Sequence, residues 1–247
     1  FTLHSNVFIA RSGFFKAARK PEWLNDPTKP VDLQNEEPEV FSTYLNYVYF
    51  GVGALQINAD EPQDDRGAEE YEDLGPDAFL CSEAEHAARY KEEFGSRRMY
   101  SRYLDQGHRI FADLYLLADR LRDLETCNSV IDELIRFSDK GGRTFNGDVI
   151  RRVYDATAHG NPLRKMVRDE CVYQVYSSDY MDSHVEPGHP EFSRDVMVEF
   201  LRLRDSNLNE NVGDVYKLHV GHRKYTDKCH YHQHDETHPR CVPEHEE

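Results

Sequence analysis

The chain has 247 residues, 38% of them apolar and 31% charged, with a formal net charge of -16. This is length enough for one large domain or two small ones, each with a core. No run approaches the roughly 20 apolar residues of a membrane helix, and the scattered Lys and Arg argue against a nucleic-acid backbone as partner, since phosphate binding needs clustered cations.

In chain order, the first predicted element is a helix within "FTLHSNVFIARSGFFKAARK", with Val7, Ala10, Phe14, Ala17 and Ala18 on one face and Phe15 widening it. "KPEWLNDPTKP" then breaks regular structure with three prolines, and "VDL" is long enough only for an edge strand. In "NEEPEVFSTYLNYVYFG", Pro38 suits a first helical turn and Gly51 a stop. Phe41, Tyr44, Leu45, Val48 and Tyr49 follow helical spacing between them.

From about Asn58 to Asp77 the composition turns acidic and Gly/Pro-punctuated, which predicts a solvated insertion. "AFLCSEAEHAARYKEEF" after it has helical character. "IFADLYLLADRLRDLETCNSVIDELIRF" carries the strongest helical pattern, with Leu114, Leu117, Leu121 and Leu124 in one stripe. A break near Thr126–Asn128 is expected before Val130, Ile131, Leu134 and Ile135 resume it. A further helix is expected from Asp148, with Val149, Ile150, Val153 and Tyr154 inward. Asn161 and Pro162 signal the start of the next, whose face is Leu163, Met166, Val167, Cys171 and Val175. "HPEFSRDVMVEFLRLRD" gives a last amphipathic helix, and the chain beyond Ser206 is polar and His-rich.

Three of these stretches, in this order, resemble the BTB/POZ domain. "FTLHSNVFIARSGFFKAARK" is similar to its F-x-V-H strand end and following S-x-F-F helix. "VDLQNEEPEVFSTYLNYVYFG" is similar to its V-x-L, D/E-P-E-x-F and Y-x-x-Y-x-G succession, and "YLLADRLRDLETCNSVIDEL" to its helix pair. "NPLRKMVRDE" resembles the helical extension of fungal members. The resemblance implies a mainly helical fold, α+β in origin, with a small sheet that is incomplete because only "FTL" of the family's strand hairpin is present. It divides the chain into a BTB-like unit over 1–138 with an acidic insertion at about 52–107, a helical extension over 143–205, and a polar tail over 206–247.

What the resemblance implies for function is protein–protein interaction without catalysis. The partner would be a second copy, a cullin scaffold of a ubiquitin ligase, or a transcription-associated complex, in the cytoplasm or nucleus. The residues expected to meet a partner are Trp23, Leu24, Tyr44, Tyr47, Tyr49, Leu117 and Arg120. Where the family's cullin-binding members place a hydrophobic-x-Glu motif, this chain reads Trp23-Leu24-Asn25, with the acid displaced to Asp26, which weakens the cullin reading. His4 is expected as a buried imidazole bonded to a neighbouring helix, and Asp119 with Arg120 as a structural pair at a helix surface.

Five cysteines from Cys81 to Cys241 form no disulfide framework and read as reduced thiols. The tail segment "CHYHQHDETHPRC" is the one chemistry-like cluster. Cys229, His232 or His234, His238 and Cys241 are the donor types zinc takes in closed tetrahedral sites, arranged as C-x-x-H and H-x-x-C. The expectation is nevertheless a solvated His-rich end with no cofactor. A zinc-stabilised module, or a metal-dependent enzyme built on the tail, is the alternative. No phosphate-binding loop, dinucleotide fingerprint, H-E-x-x-H or nucleophile elbow occurs.

Overall fold

The computed structural model describes residues 1, 3–20, 30–33, 36–55, 97–141, 145–174, 189–207, 228–236 and 238–241. Among them lie eight α-helices: α1 Ser5–Arg11, α2 Gly13–Ala18, α3 Pro38–Phe50, α4 Arg97–Leu121, α5 Leu124–Gly141, α6 Gly147–Ala156, α7 Pro162–Gln174 and α8 Pro190–Asn207. Two 3-10 turns, Val52–Ala54 and Lys228–Tyr231, complete the described elements. The fold is mainly helical, as expected. No strand occurs among the described residues. Val31–Leu33, the expected edge strand, runs irregularly and uses its Leu33 carbonyl to accept from the Glu36 N–H at 3.0 Å. Without a neighbouring strand to form a ladder, its backbone groups turn to such local bonds.

The first predicted helix is two helices. Ser12 takes extended backbone angles between them, and its hydroxyl accepts from the Phe15 N–H while donating to the Leu121 carbonyl at 2.6 Å. One serine thus caps the start of α2 and satisfies an orphan carbonyl at the end of α4. The break rotates the buried face, so Phe8 and Phe15 enter the core while Val7, Ala10 and Ala17 face outward. His4 is exposed rather than buried, but it does bond to a neighbouring helix, with Nδ1 3.0 Å from the Tyr49 hydroxyl of α3.

The break between α4 and α5 falls at Arg122–Asp123, not at Thr126–Asn128. Asp123 N–H donates back to the Ala118 carbonyl and Arg122 N–H to the Asp119 carbonyl. Arg122 sits at φ 56° between them, the left-handed residue of a Schellman ending. Asp123 then caps α5, accepting from Thr126 N–H at 3.0 Å and from its hydroxyl at 2.7 Å. The same buried carboxylate accepts from Tyr44 Oη at 2.9 Å and from Arg11 Nε at 3.4 Å. Residues from three stretches far apart in the chain therefore meet at one polar hub.

α4 also begins earlier than its apolar stripe announces, at Arg97, inside the stretch assigned to the insertion. It crosses α5 closely at Gly107, where a Cβ would lie 2.2 Å from the Phe137 ring. A side chain at that crossing would have to displace the Phe137 ring. The 56–96 stretch, with most of the expected insertion, and Trp23, Leu24 and Val175 lie outside the described residues.

The helical extension is not a separate body. Asn146 caps α6 through the Val149 N–H, and Val149, Ile150, Val153 and Tyr154 are all buried, as expected. Asn161 caps α7 through the Leu163 N–H at 2.9 Å and donates to Asp119 of α4. Leu163, Met166, Val167 and Cys171 join Leu114, Leu117, Leu121, Ile131 and Leu134 in one continuous core. α8 adds Phe192 and Val196 to it and ties back by ion pairs from Arg164 of α7 to Glu191 and Asp195.

Candidate metal centre

The C-terminal Cys/His segment is docked on the helices rather than solvated. Tyr231 is 1% exposed, and its hydroxyl donates to Asp169 Oδ2 of α7 at 2.9 Å. His230 Nε2 lies 3.4 Å from the same carboxylate, and Lys165 of α7 donates to the His230 carbonyl at 3.1 Å. Burial works to raise the Asp169 carboxyl. The hydrogen bond from His230 and the adjacent Arg168 guanidinium outweigh it and hold the group below the usual carboxylate range. The Gln233 main chain is closed by Asn128 of α5, which donates to its carbonyl and accepts its N–H, both at 2.8 Å. Its side chain donates to Tyr115 and Asp119 of α4.

Docking gathers one donor atom each from Cys229, His232, His234 and Cys241, all within 4.8 Å of one another. Zinc bonds of about 2.0–2.3 Å in a tetrahedron place ligand atoms about 3.3–3.8 Å apart, so the cluster needs only a small contraction to fit the ion. His232 Nδ1 is already 3.3 Å from Cys241 Sγ, and the Cys241 N–H donates to Cys229 Sγ at 3.1 Å. Partial burial and then the adjacent Cys229 sulfur push the Cys241 thiol up.

The fourth member is His234 and not His238. Asp235 and His238 close a tight turn through two main-chain bonds, and His238 Nδ1 sits 3.1 Å from Asp235 Oδ1. The His238 carbonyl instead serves His234, whose Nδ1 lies 3.3 Å away. That leaves His234 Nε2 for the cluster, and it is a buried nitrogen with no hydrogen-bond partner. A buried imidazole nitrogen left bare is costly unless something binds it. Four such side chains match the number of ligands in a closed tetrahedral site.

The residues expected to hold a partner fare differently. Tyr44, Tyr47 and Leu117 are 0%, 7% and 0% exposed, so they are core residues and unavailable to a partner. Burial is the first cause that pushes the Tyr47 phenol up to about 12. Tyr49 is exposed beside His4, and Arg120 at the surface forms an ion pair with Glu36. Asp119 is a structural residue, receiving Asn161 and Gln233. No helix among the described residues is long and apolar enough to cross a membrane.

Comparison with known proteins finds no matching family, no similar curated protein and no similar solved structure.

Proposed function

We propose that this protein is a helical module whose C-terminal segment is stapled by a structural zinc ion. Cys229 and Cys241 would bind through sulfur, His232 through Nδ1 and His234 through Nε2. The observation that carries this reading is the buried His234 Nε2, without a partner among residues that supply three further zinc-type donors. A 13-residue segment from Cys229 to Cys241, in which Tyr231 is the one core residue among those described, has little core of its own, the situation in which small elements depend on a metal cross-link. A closed four-ligand shell favours a structural over a catalytic ion. Metal analysis of the purified chain tests it. Stoichiometric zinc, lost in the Cys229→Ser/Cys241→Ser double variant, is expected; a chain that fails to compete for zinc with a weak chelator overturns it.

A second reading, the BTB-like interaction module, is favoured by an apolar groove of about 580 Å³ beside α1 and α2, lined by Phe1, Leu3, Phe8, Phe15, Val31 and Phe41. A groove of that size and character suits an apolar partner side chain, and a second copy of this chain is the partner to test first. Light scattering across a concentration series is expected to give a dimer. A monomer at every concentration removes self-association, and with it this form of the reading.

A further inference from the structure

All four donor residues come from one short segment, yet the group that orients one of them comes from elsewhere. His232 is held at both ring nitrogens: Nδ1 faces Cys241 Sγ at 3.3 Å, and Nε2 lies 3.0 Å from Asp132 Oδ1. The His232 side chain is 5% exposed, so water does not compete strongly for either nitrogen. A neutral imidazole carries one ring proton. If Nδ1 is to bind a cation, the proton must sit on Nε2, where Asp132 is the acceptor. A carboxylate in that place fixes both the tautomer and the ring plane, and makes the ligating nitrogen more basic.

Asp132 belongs to α5, far from the Cys/His segment in sequence, and it stands one turn beyond Asn128 on the same helical face. Asn128 closes both main-chain groups of Gln233, the residue between the two histidine ligands. Tyr115 and Asp119, one turn apart on α4, take the Gln233 side chain. The surface of the α4–α5 hairpin is thus shaped to the ligand segment at the ligand histidine and at its neighbour.

Resting on the zinc reading above, we propose that Asp132 is the positioning residue of the metal centre, setting His232 as an Nδ1 ligand and coupling metal occupancy to docking of residues 229–241 on the α4–α5 hairpin. Coupling of this kind is reciprocal: the hairpin raises the segment's affinity for zinc, and zinc tightens the segment on the hairpin by the same factor. The segment then acts as a metal-dependent strap across the hairpin and α7.

Zinc affinity of the intact chain, measured by chelator competition, tests this with Asp132→Ala and Asp132→Asn beside the parent. The Ala variant is expected to bind zinc about 10–100-fold more weakly, the usual loss when an outer carboxylate is removed from a ligand histidine. The Asn variant retains an acceptor oxygen for Nε2–H and recovers most of that loss. The visible absorption of the cobalt-loaded Ala variant shifts from the parent's, and the variant loses more of its melting temperature in the zinc-loaded protein than in the metal-free one. An Ala variant within about threefold of the parent, with an unchanged cobalt spectrum, overturns the role of Asp132 and leaves the zinc site standing. A parent chain that takes up neither zinc nor cobalt overturns both.

Discussion

Asp123 and Asp132 lie on successive parts of one helical hairpin, and each receives a side chain from a distant stretch. Asp123 is fully buried at the start of α5, where Arg11, Tyr44 and Thr126 converge on it amid apolar side chains from the surrounding helices. Asp132 is 39% exposed and receives His232 from a segment in which Tyr231 alone, among the described residues, is buried. The helical region is held by the area it removes from water, with a polar hub that is costly to disturb. The Cys/His segment is held by directed polar contacts and by the donor cluster. The difference teaches that the two parts should fail separately, one to loss of packing and the other, on the proposed zinc reading, to loss of metal.

The sharpest way to break the helical region is Asp123→Ala. It strands the Tyr44 hydroxyl and removes the cap of α5, while Arg11 keeps its bonds to Glu125 and Thr126, and a loss of about 2–4 kcal/mol in urea unfolding is expected. Chelation should act on the other part. Zinc at 100 times its Kd stabilises a binding-competent fold by about 2.7 kcal/mol. Adding a chelator should remove that increment and speed amide exchange in residues 229–241 while leaving α4 and α5 protected. Equal loss of protection in both regions would erase the distinction between them.

Gly107→Ala forces a methyl against the Phe137 ring, which is itself packed by Tyr103, His108 and Phe111. About 1–3 kcal/mol of destabilisation is expected, with zinc affinity unchanged.

Alkaline pH separates the regions more gently. Burial pushes the Cys171 thiol from 9.0 to about 12, and the Tyr47 phenol from 10.0 to about 12. Between those values the unfolded chain has released protons that the folded chain keeps. Stability therefore falls as pH rises from 9 towards 12, by about 1.4 kcal/mol per pH unit for each group. Cys171→Ala should flatten that fall by one group's share. The smallest effect belongs to Arg120→Ala, because its pair with Glu36 is nearly half exposed on the arginine side; less than about 1 kcal/mol is expected.

Much of the helical region was legible. Pro38 and Gly51 bounded α3, Asn161 and Pro162 opened α7, and the stripes of α6 and α7 became buried faces. The α4–α5 break lies at Arg122 and Asp123, ahead of the expected place near Thr126–Asn128. The readable signal was Asp123, a good cap residue three positions before Thr126. The split at Ser12 had weaker local warning, since the Leu121 carbonyl that secures it lies over a hundred residues away. For the metal centre, both cysteines and His232 stood out as donor types. The expected set was His232 or His234 with His238, whereas both His232 and His234 join the cluster, because a symmetric C-x-x-H/H-x-x-C spacing says nothing of the turn that Asp235 and His238 make.

By itself the sequence determined the bounds of α3, the starts of α6 and α7 and which of their faces are apolar, because capping and periodicity act within a few residues. It also determined that zinc-type donors are concentrated near the C-terminus. Tertiary structure alone decided that Tyr44, Tyr47 and Leu117 meet their own chain, since periodicity identifies an apolar face without saying what covers it. It alone decided which histidine joins the cysteines and which carboxylate stands behind His232. The histidine follows from a turn that spacing does not show, and the carboxylate from a group a hundred residues away: a hydrogen bond of 3.0 Å between Asp132 and His232 has no trace in local spacing.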